Sequence, residues 1–382
     1  MRRSRIGEAR PGKDLLFSGA PALFVSCLWR LIQASLWRRV TGGILAMKPK
    51  VGLLLGDPTG IGPELVAKLL AGYDVHEHAD LVVIGDRRVF EMGQKIAGES
   101  LSPRVVRRFE DVRFGAGETQ FLDFPGVPLD QFTVGQLSGK AGKSVLDVLA
   151  FTLDLARDGK LDAIVFAPFN KQAMHLGGSP FPDELHFMAD RLQRKGHFSE
   201  INVLDDLWTS RVTSHIRLRE VSALITKKRV YDAIVLIDGA LRMAGVKEPR
   251  LLVAALNPHG GEGGLFGNEE VEEIAPAIEQ ARLEGIQVSG PFPADTIFLR
   301  AKKGACDAIV SMYHDQGQIA MKLMGFERGV TVQGGLPIPI TTPAHGTAFD
   351  IAGQGKANPQ GLYQAFRIAC RMGASTSARK RR

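Results

Sequence analysis

Short, uninterrupted apolar runs punctuate the chain: VGLLLG (51–56), ADLVVIG (79–85), DAIVFAP (162–168), INVL (201–204), RLLVAAL (250–256) and DAIVSMY (307–313). None alternates apolar with polar residues, so each reads as a strand buried on both faces. Between them lie amphipathic stretches predicted as helices over 61–72, 141–158, 229–236 and 268–284. Glu269 and Glu270 open the last of these and suit the positive end of a helix dipole. Strand and helix patterns in alternation predict an α/β architecture with a largely parallel sheet. No internal repeat or low-complexity linker interrupts the pattern.

At 382 residues and 45% hydrophobic content, the chain is long and apolar enough to hold sizeable cores without a disulfide or a structural metal. Cys27, Cys306 and Cys370 are far apart and form no CxxC, which argues against a thiolate zinc site and suits a reducing cytoplasm. The net charge of +7 raises the possibility of nucleic acid as a partner, but the excess sits at the ends. Residues 1–46 carry eight basic side chains against two acidic ones, and Arg379, Lys380, Arg381 and Arg382 form a basic tail. The body between is mildly acidic, without the clustered basic face that nucleic acid requires.

The first 46 residues include LLFSGAPALFVSCLW, an apolar run behind several arginines. It has the faint look of a secretory leader, yet it falls short of a membrane span. Met47 opens MKPKVGLLLGDPTG, a natural start for a first strand. Residues 1–46 are therefore expected to be an extension, disordered or the product of a start codon read too far upstream. The catalytic body is expected over 47–378, and 379–382 remain as the tail.

Polar clusters rich in glycine carry the candidate chemistry. Histidines occur in TSH (213–215), NPHGGEGG (257–264), YHDQGQ (313–318) and PAHGTAFD (343–350), each in a loop or behind an expected strand. Functional groups gather at such places on α/β scaffolds. His215, His259 and His314 are candidates to converge on a divalent cation through neutral imidazoles. His76 and His78 lie in a charged stretch and read as solvated. The segment HGTAFDIAGQGKANP (345–359) has the short side chains and glycines that let a ligand approach backbone closely. It resembles the segment with which isocitrate and isopropylmalate dehydrogenases hold the adenosine part of their dinucleotide.

GDPTGIGPE (56–64), APFNK (167–171), TSHIRLREV (213–221), LNPHGGEGG (256–264), PFPADT (291–296), MYHDQGQIAMK (312–322), GFERGVT (325–331) and HGTAFDIAGQGKA (345–357) follow one another in that order. This set resembles the 4-hydroxythreonine-4-phosphate dehydrogenase family of vitamin B6 biosynthesis and its catabolic relatives, over about residues 50–375. The resemblance implies an isocitrate/isopropylmalate-dehydrogenase-like fold of two α/β/α lobes with the active site in a cleft between them. The lobes are expected at about 47–145 plus 305–378, and 146–304. It also implies a homodimer whose metal site draws ligands from both subunits, with His215, His259 and His314 as those ligands. The reaction implied is NAD-dependent oxidation of a secondary alcohol of a hydroxy acid to a ketone, with decarboxylation following in the B6 enzyme. A divalent ion (Zn²⁺, Mg²⁺ or Co²⁺) would acidify the hydroxyl and polarise the carbonyl. Lys171 and Asp295 become candidates for proton transfer or orientation, or an ordinary cleft salt bridge. Lys322 matches a substrate-binding lysine. His345, Gly346, Thr347, Asp350 and Asn358 are the candidate cofactor contacts. The reading excludes membrane and nucleic-acid partners.

The family pattern breaks where it would bind phosphate. A His-Thr pair that contacts the phosphorylated substrate is matched by Glu184 and Leu185 in FPDELHF (181–187), with His186 able to substitute only if the loop shifts register. A substrate asparagine is matched by Thr331 and a substrate arginine by Ile340. Arginine binds phosphate through a bidentate fork, and a glutamate repels it. The sequence thus favours a non-phosphorylated substrate, such as a cis-dihydrodiol carboxylate of aromatic catabolism. A B6-type or sugar-acid phosphate substrate, or a catalytically silent ligand-binding homologue, are the alternatives. GDPTGIGPE itself fits neither GxGxxG nor GxxxxGK[ST] and is expected to shape one wall of the cleft.

Overall fold

The computed structural model describes residues 48–380. The expectations for 1–46, for Met47 and for the last two arginines lie outside the described residues. A mixed sheet of twelve strands organises the fold: β1 (Lys50–Leu54), β2 (Asp80–Gly85), β3 (Arg104–Val106), β4 (Gln120–Asp123), β5 (Ala163–Phe166), β6 (Ser199–Leu204), β7 (Leu207–Arg211), β8 (Leu251–Ala254), β9 (Val288–Phe292), β10 (Ala308–Ser311), β11 (Val330–Gly334) and β12 (Ile340–Pro343). The order across the sheet is β3-β4-β2-β1-β5-β12-β11-β6-β7-β10-β8-β9.

All six apolar runs are strands buried on both faces. Val51 and Leu53 of β1 face one hydrophobic cluster while Leu54 faces the other. The sheet departs from parallel order at its centre, where β12–β11, β11–β6 and β6–β7 pair antiparallel. Three successive reversals make the outer blocks run in opposite directions. The expected lobe limits near 146 and 305 do not fall at that centre, since β5 lies against β1 and β10 lies between β7 and β8.

Six strands, β3, β4, β7, β9, β11 and β12, lie outside the expected set; LWTSR, VTVQG and ITTP among them are short and rich in polar residues. Arg211 of β7 and Thr331 of β11 are joined to Asn202, beside the candidate site. Helix Lys227–Met243 outruns its expected end at 236. Asp238 lies within it, its buried carboxylate paired with Arg242 at 2.7 Å. The helix expected over 268–284 is a wide turn, Glu270–Ile274, followed by helix Ala275–Leu283 with Pro276 in its first turn, where a missing N–H is tolerated. His76 and His78 are half-buried, and His76 Nε2 bonds Thr119 Oγ1 at 2.9 Å, which corrects their reading as solvated. Cys306 and Cys370 are free and buried. Among the described residues no helix is long and apolar enough to cross a membrane.

Candidate active site

GDPTGIGPE leaves β1 and enters helix Gly62–Gly72. Gly56 adopts φ 82°, and a Cβ there would meet the Ala167 carbonyl at 2.8 Å. Asp57 is fully buried; its Oδ1 accepts from Thr59 N and Oγ1 at 2.8 and 2.6 Å, and Oδ2 has no partner. Burial pushes its carboxyl above the usual range against the pull of the Thr59 bonds.

Beyond that turn the loop meets the segment that follows β12. Ile61 N donates to Thr347 O at 3.1 Å, and an added Cβ on Gly60 would lie 2.7 Å from Thr347 Cβ. Glu64, 1% exposed, accepts from Ala357 N and Lys68 Nζ, both at 2.8 Å, while Lys68 also donates to the Gly355 and Ala357 carbonyls. The loop after β1 is thus a clamp for the loop after β12. Within that second loop Thr347 is buried, Gly346 and Asp350 are exposed, and His345 Nδ1 lies 3.1 Å from the Gly346 carbonyl. Asn358 accepts from Gln360 N at the start of helix Gln360–Lys380 and donates to Glu327. The space in front of Gly346 is open, as an added Cβ would meet nothing within 4 Å. A backbone-rich loop held beside a helix N-terminus, with open space before it, fits the adenosine end of a dinucleotide.

The histidine candidates follow β7, β8 and β10. His215 and His314 come together with ring centroids 5.4 Å apart. His314 starts helix His314–Gly325, and its Nδ1 faces Asp315 Oδ1 at 2.7 Å. His215 holds φ 31° and His259 φ 54°, a left-handed backbone that non-glycine residues rarely adopt and that clusters at functional sites. His259 is exposed in Pro258–Gly264, a turn with six successive positive φ values from His259 to Gly264. Glu270, 3% exposed, braces that turn by accepting from Leu256 N and Asn257 N at 2.8 Å. Burial depresses the His215 imidazole and favours its neutral, ligating form. A pair of imidazole side chains suits a divalent cation. Among the described residues, no group of three or more His, Cys, Asp or Glu side chains is placed to hold one within the chain.

Charged groups surround His215. Lys171 opens helix Lys171–Leu176 and lies 3.8 Å from Glu184 Oε2 and 3.7 Å from Glu200 Oε1. Glu184 heads helix Glu184–Arg191, capped by Asp183, whose Oδ1 accepts from His186 N and faces His186 Nδ1 at 2.7 Å. That cap holds His186 outward and turns Glu184 inward to 8% exposure, with Oε2 facing Lys171 but accepting no hydrogen bond. Burial pushes the Glu184 carboxyl up, opposed by Lys171. Leu185 and Ile340 pack in one apolar cluster, Ile340 with no exposure at all. Thr331 accepts from Asn202 Nδ2 at 3.2 Å. Lys322 is exposed on the helix begun by His314 and borders a small cavity with Asn202 and Gln318. Asp295 is exposed in the first turn of helix Ala294–Lys302, and no hydrogen bond or ion pair among the described residues joins it to Lys171 or to the histidines.

Sequence reasoning missed four groups beside this site: Glu200, Asn202, Arg211 and Gln333. Gln333 pairs across the strands with Glu200, is 2% exposed and leaves both amide atoms unpartnered. Asn202 interrupts the apolar run INVL, with Glu200 just before it, which is a signal in the sequence; Arg211 and Gln333 lie in short strands rich in polar residues, where no such signal stands out.

The family model "Pyridoxal phosphate biosynthetic protein PdxA" matches residues 77–369. A relative from Pseudomonas aeruginosa, described as a candidate 4-hydroxythreonine-4-phosphate dehydrogenase, is 53% identical over 327 residues, covering 85% of this chain and 97% of its own. A candidate D-threonate 4-phosphate dehydrogenase from Clostridium botulinum is 36% identical over 324 residues, covering 85% and 97%. The crystal structure of a 4-hydroxythreonine-4-phosphate dehydrogenase from Burkholderia phymatum aligns with a TM-score of 0.73 at 37% identity, covering 85% of this chain and 98% of that one. Fold, site and relatives define an α/β oxidoreductase that acts on a CH–OH group. Within that class the chain belongs to the PdxA family of pyridoxal phosphate biosynthetic proteins.

Proposed function

We propose that the protein oxidises the secondary alcohol of a hydroxy acid phosphate to a ketone, with NAD as hydride acceptor and a divalent ion in the site. The observation that carries the substrate class is the 53% identity across 97% of a relative described for 4-hydroxythreonine 4-phosphate. The relative described for D-threonate 4-phosphate points to the same chemical class. The expectation of a non-phosphorylated substrate gains no support from either.

In this reading His215, His314 and His259 hold the ion, with His259 supplied by the partner of a homodimer. When bound, the ion acidifies the substrate hydroxyl and polarises the carbonyl that forms. Lys171 takes or returns the proton of that hydroxyl, and Asp295 remains a candidate for orientation. Lys322 and Thr331 bind the substrate, while His345, Gly346, Thr347, Asp350 and Asn358 hold the dinucleotide. Glu200 and Glu184 keep Lys171 aimed into the site by facing its ammonium from two sides.

A second reading, a substrate without phosphate, rests on one observation. The position of the family's arginine is an isoleucine with no exposure, and the position of its histidine is a buried carboxylate. The two readings separate in one assay: NADH formation with 4-phosphohydroxy-L-threonine, D-threonate 4-phosphate and their unphosphorylated counterparts, with Mg²⁺, Zn²⁺ or Co²⁺ present. Preference for the phosphorylated acids by about a hundredfold or more in kcat/KM is expected, the worth of lost charge-assisted bonds. Turnover confined to the unphosphorylated acids hands the site to the second reading.

A further inference from the structure

Arg211 ends β7, four residues before His215, with its side chain 4% exposed. It makes a hydrogen bond through each of its three guanidinium nitrogens. Nε donates to Ser214 Oγ at 2.9 Å, one Nη to Asn202 Oδ1 at 2.6 Å and the other to Glu200 Oε2 at 2.5 Å. Ser214 is the residue immediately before the left-handed His215. Glu200 presents its other oxygen to Lys171 at 3.7 Å. Asn202 in turn reaches Thr331 at 3.2 Å and receives Gln318 Nε2 at 2.5 Å, from the helix that His314 begins.

One buried fork therefore reaches, at one remove, His215 through Ser214, Lys171 through Glu200 and Thr331 through Asn202, and by a further step through Gln318 the helix that His314 begins. A buried arginine is costly unless it is paired and hydrogen-bonded, and here each guanidinium nitrogen donates to a different arm of the site. A packing role alone would be met by an apolar residue, as it is at Trp208 in the same strand and at Val212 just beyond it.

We infer that Arg211 is the positioning residue of this site: it fixes the Ser214–His215 turn and the Glu200 carboxylate together, so that imidazole and ammonium keep one spacing. The inference rests on the reading of His215 and Lys171 given above. Because the guanidinium fork sets direction as well as charge, lysine at this position restores charge without the geometry.

The test uses the full chain and four variants: R211K, the charge-balanced pair R211M/E200Q, S214A and H215A. The paired variant avoids stranding a buried Glu200 charge, so folding is retained. Co²⁺ affinity is measured by calorimetry without substrate, beside kcat, KM and amide exchange over residues 212–216. Loss of about tenfold to a hundredfold in Co²⁺ affinity is expected for R211M/E200Q, as for other partners that orient metal ligands, with a smaller loss for R211K and S214A. Faster exchange at 212–216 and a fall in kcat with KM little changed are expected beside it. A folded R211M/E200Q that binds Co²⁺ as the unaltered chain does, while H215A does not, overturns the inference alone. Unchanged Co²⁺ binding in H215A itself overturns the reading of His215 and the inference with it.

Discussion

The carboxylate of Glu64 accepts the backbone N–H of Ala357 at 2.8 Å, joining two loops that stand 293 residues apart. Glu64 also holds Lys68, which caps the Gly355 and Ala357 carbonyls, so one i,i+4 pair on the first helix anchors three backbone groups of the loop after β12. E64Q keeps the shape and one acceptor but loses the charge; E64A loses both. E64A should lower unfolding stability by about 2–3 kcal/mol, the range for a buried bond to a charged group left unmade. Urea denaturation measures this. KM for NAD should rise in both variants with kcat less affected, and an unchanged KM would detach the clamp from the cofactor.

Gly60 is the second contact between these loops. An added Cβ would stand 2.7 Å from Thr347 Cβ and 2.9 Å from the Thr347 carbonyl, closer than real atoms approach. G60A should therefore push the HGTAFD loop outward, costing about 1–3 kcal/mol as overpacking does. Thermal melts read the stability, and NAD binding by fluorescence reads the loop. G98A, at the open end of helix Arg87–Ala97, serves as the control for strain without a clash, since Gly98 has φ 71° but no neighbour within 4 Å.

The six doubly buried strands were legible because an unbroken apolar run permits little else, and the structure places all of them within a few residues of the expected limits. The neighbouring strands β7 and β11 were not. Their alternation is polar on one side because that side faces the site, so Thr331, Gln333 and Arg211 look like loop residues when read along the chain. The antiparallel reversals at β11 and β6 follow from tertiary pairing, which no local pattern carries. Among the site candidates, the meeting of His215 with His314 was foreseen by loop type and resemblance. The inward turn of Glu184 came from a cap, Asp183, whose side chain decides which of Glu184 and His186 faces solvent.

Glu184 gives a pH signature. Burial raises its carboxyl above the ordinary glutamate value, so the folded chain holds that proton more tightly than the unfolded chain. Its contribution to stability is full below the unfolded pKa and is lost as pH rises through the folded one. Relative to the unaltered chain, E184Q should therefore gain stability as pH rises from about 4, near the ordinary value, toward neutrality, and show no advantage in acid. Chemical denaturation at a series of pH values measures the difference. A constant offset between the two proteins across that range would mean that Glu184 ionises as freely folded as unfolded.

The histidines decide whether a subunit is complete by itself. His215 and His314 lie side by side in one chain, while no set of three ligands among the described residues closes within it. If a partner supplies His259, then H215A and H259A are each inactive as pure dimers yet complement when mixed. In a mixed dimer one of the two sites receives His215 and His314 from the H259A chain and His259 from the H215A chain, and is intact. Random exchange makes half of the dimers mixed, so activity should return to roughly a quarter of the unaltered level, as two-fold symmetry requires. H215A mixed with H314A should stay silent, because both losses fall on the same chain's contribution. Chelator treatment should abolish the recovered activity and added Co²⁺ should restore it. Full activity in unmixed H259A would remove His259 from the site, and silence in every mixture would place all three ligands in a single chain.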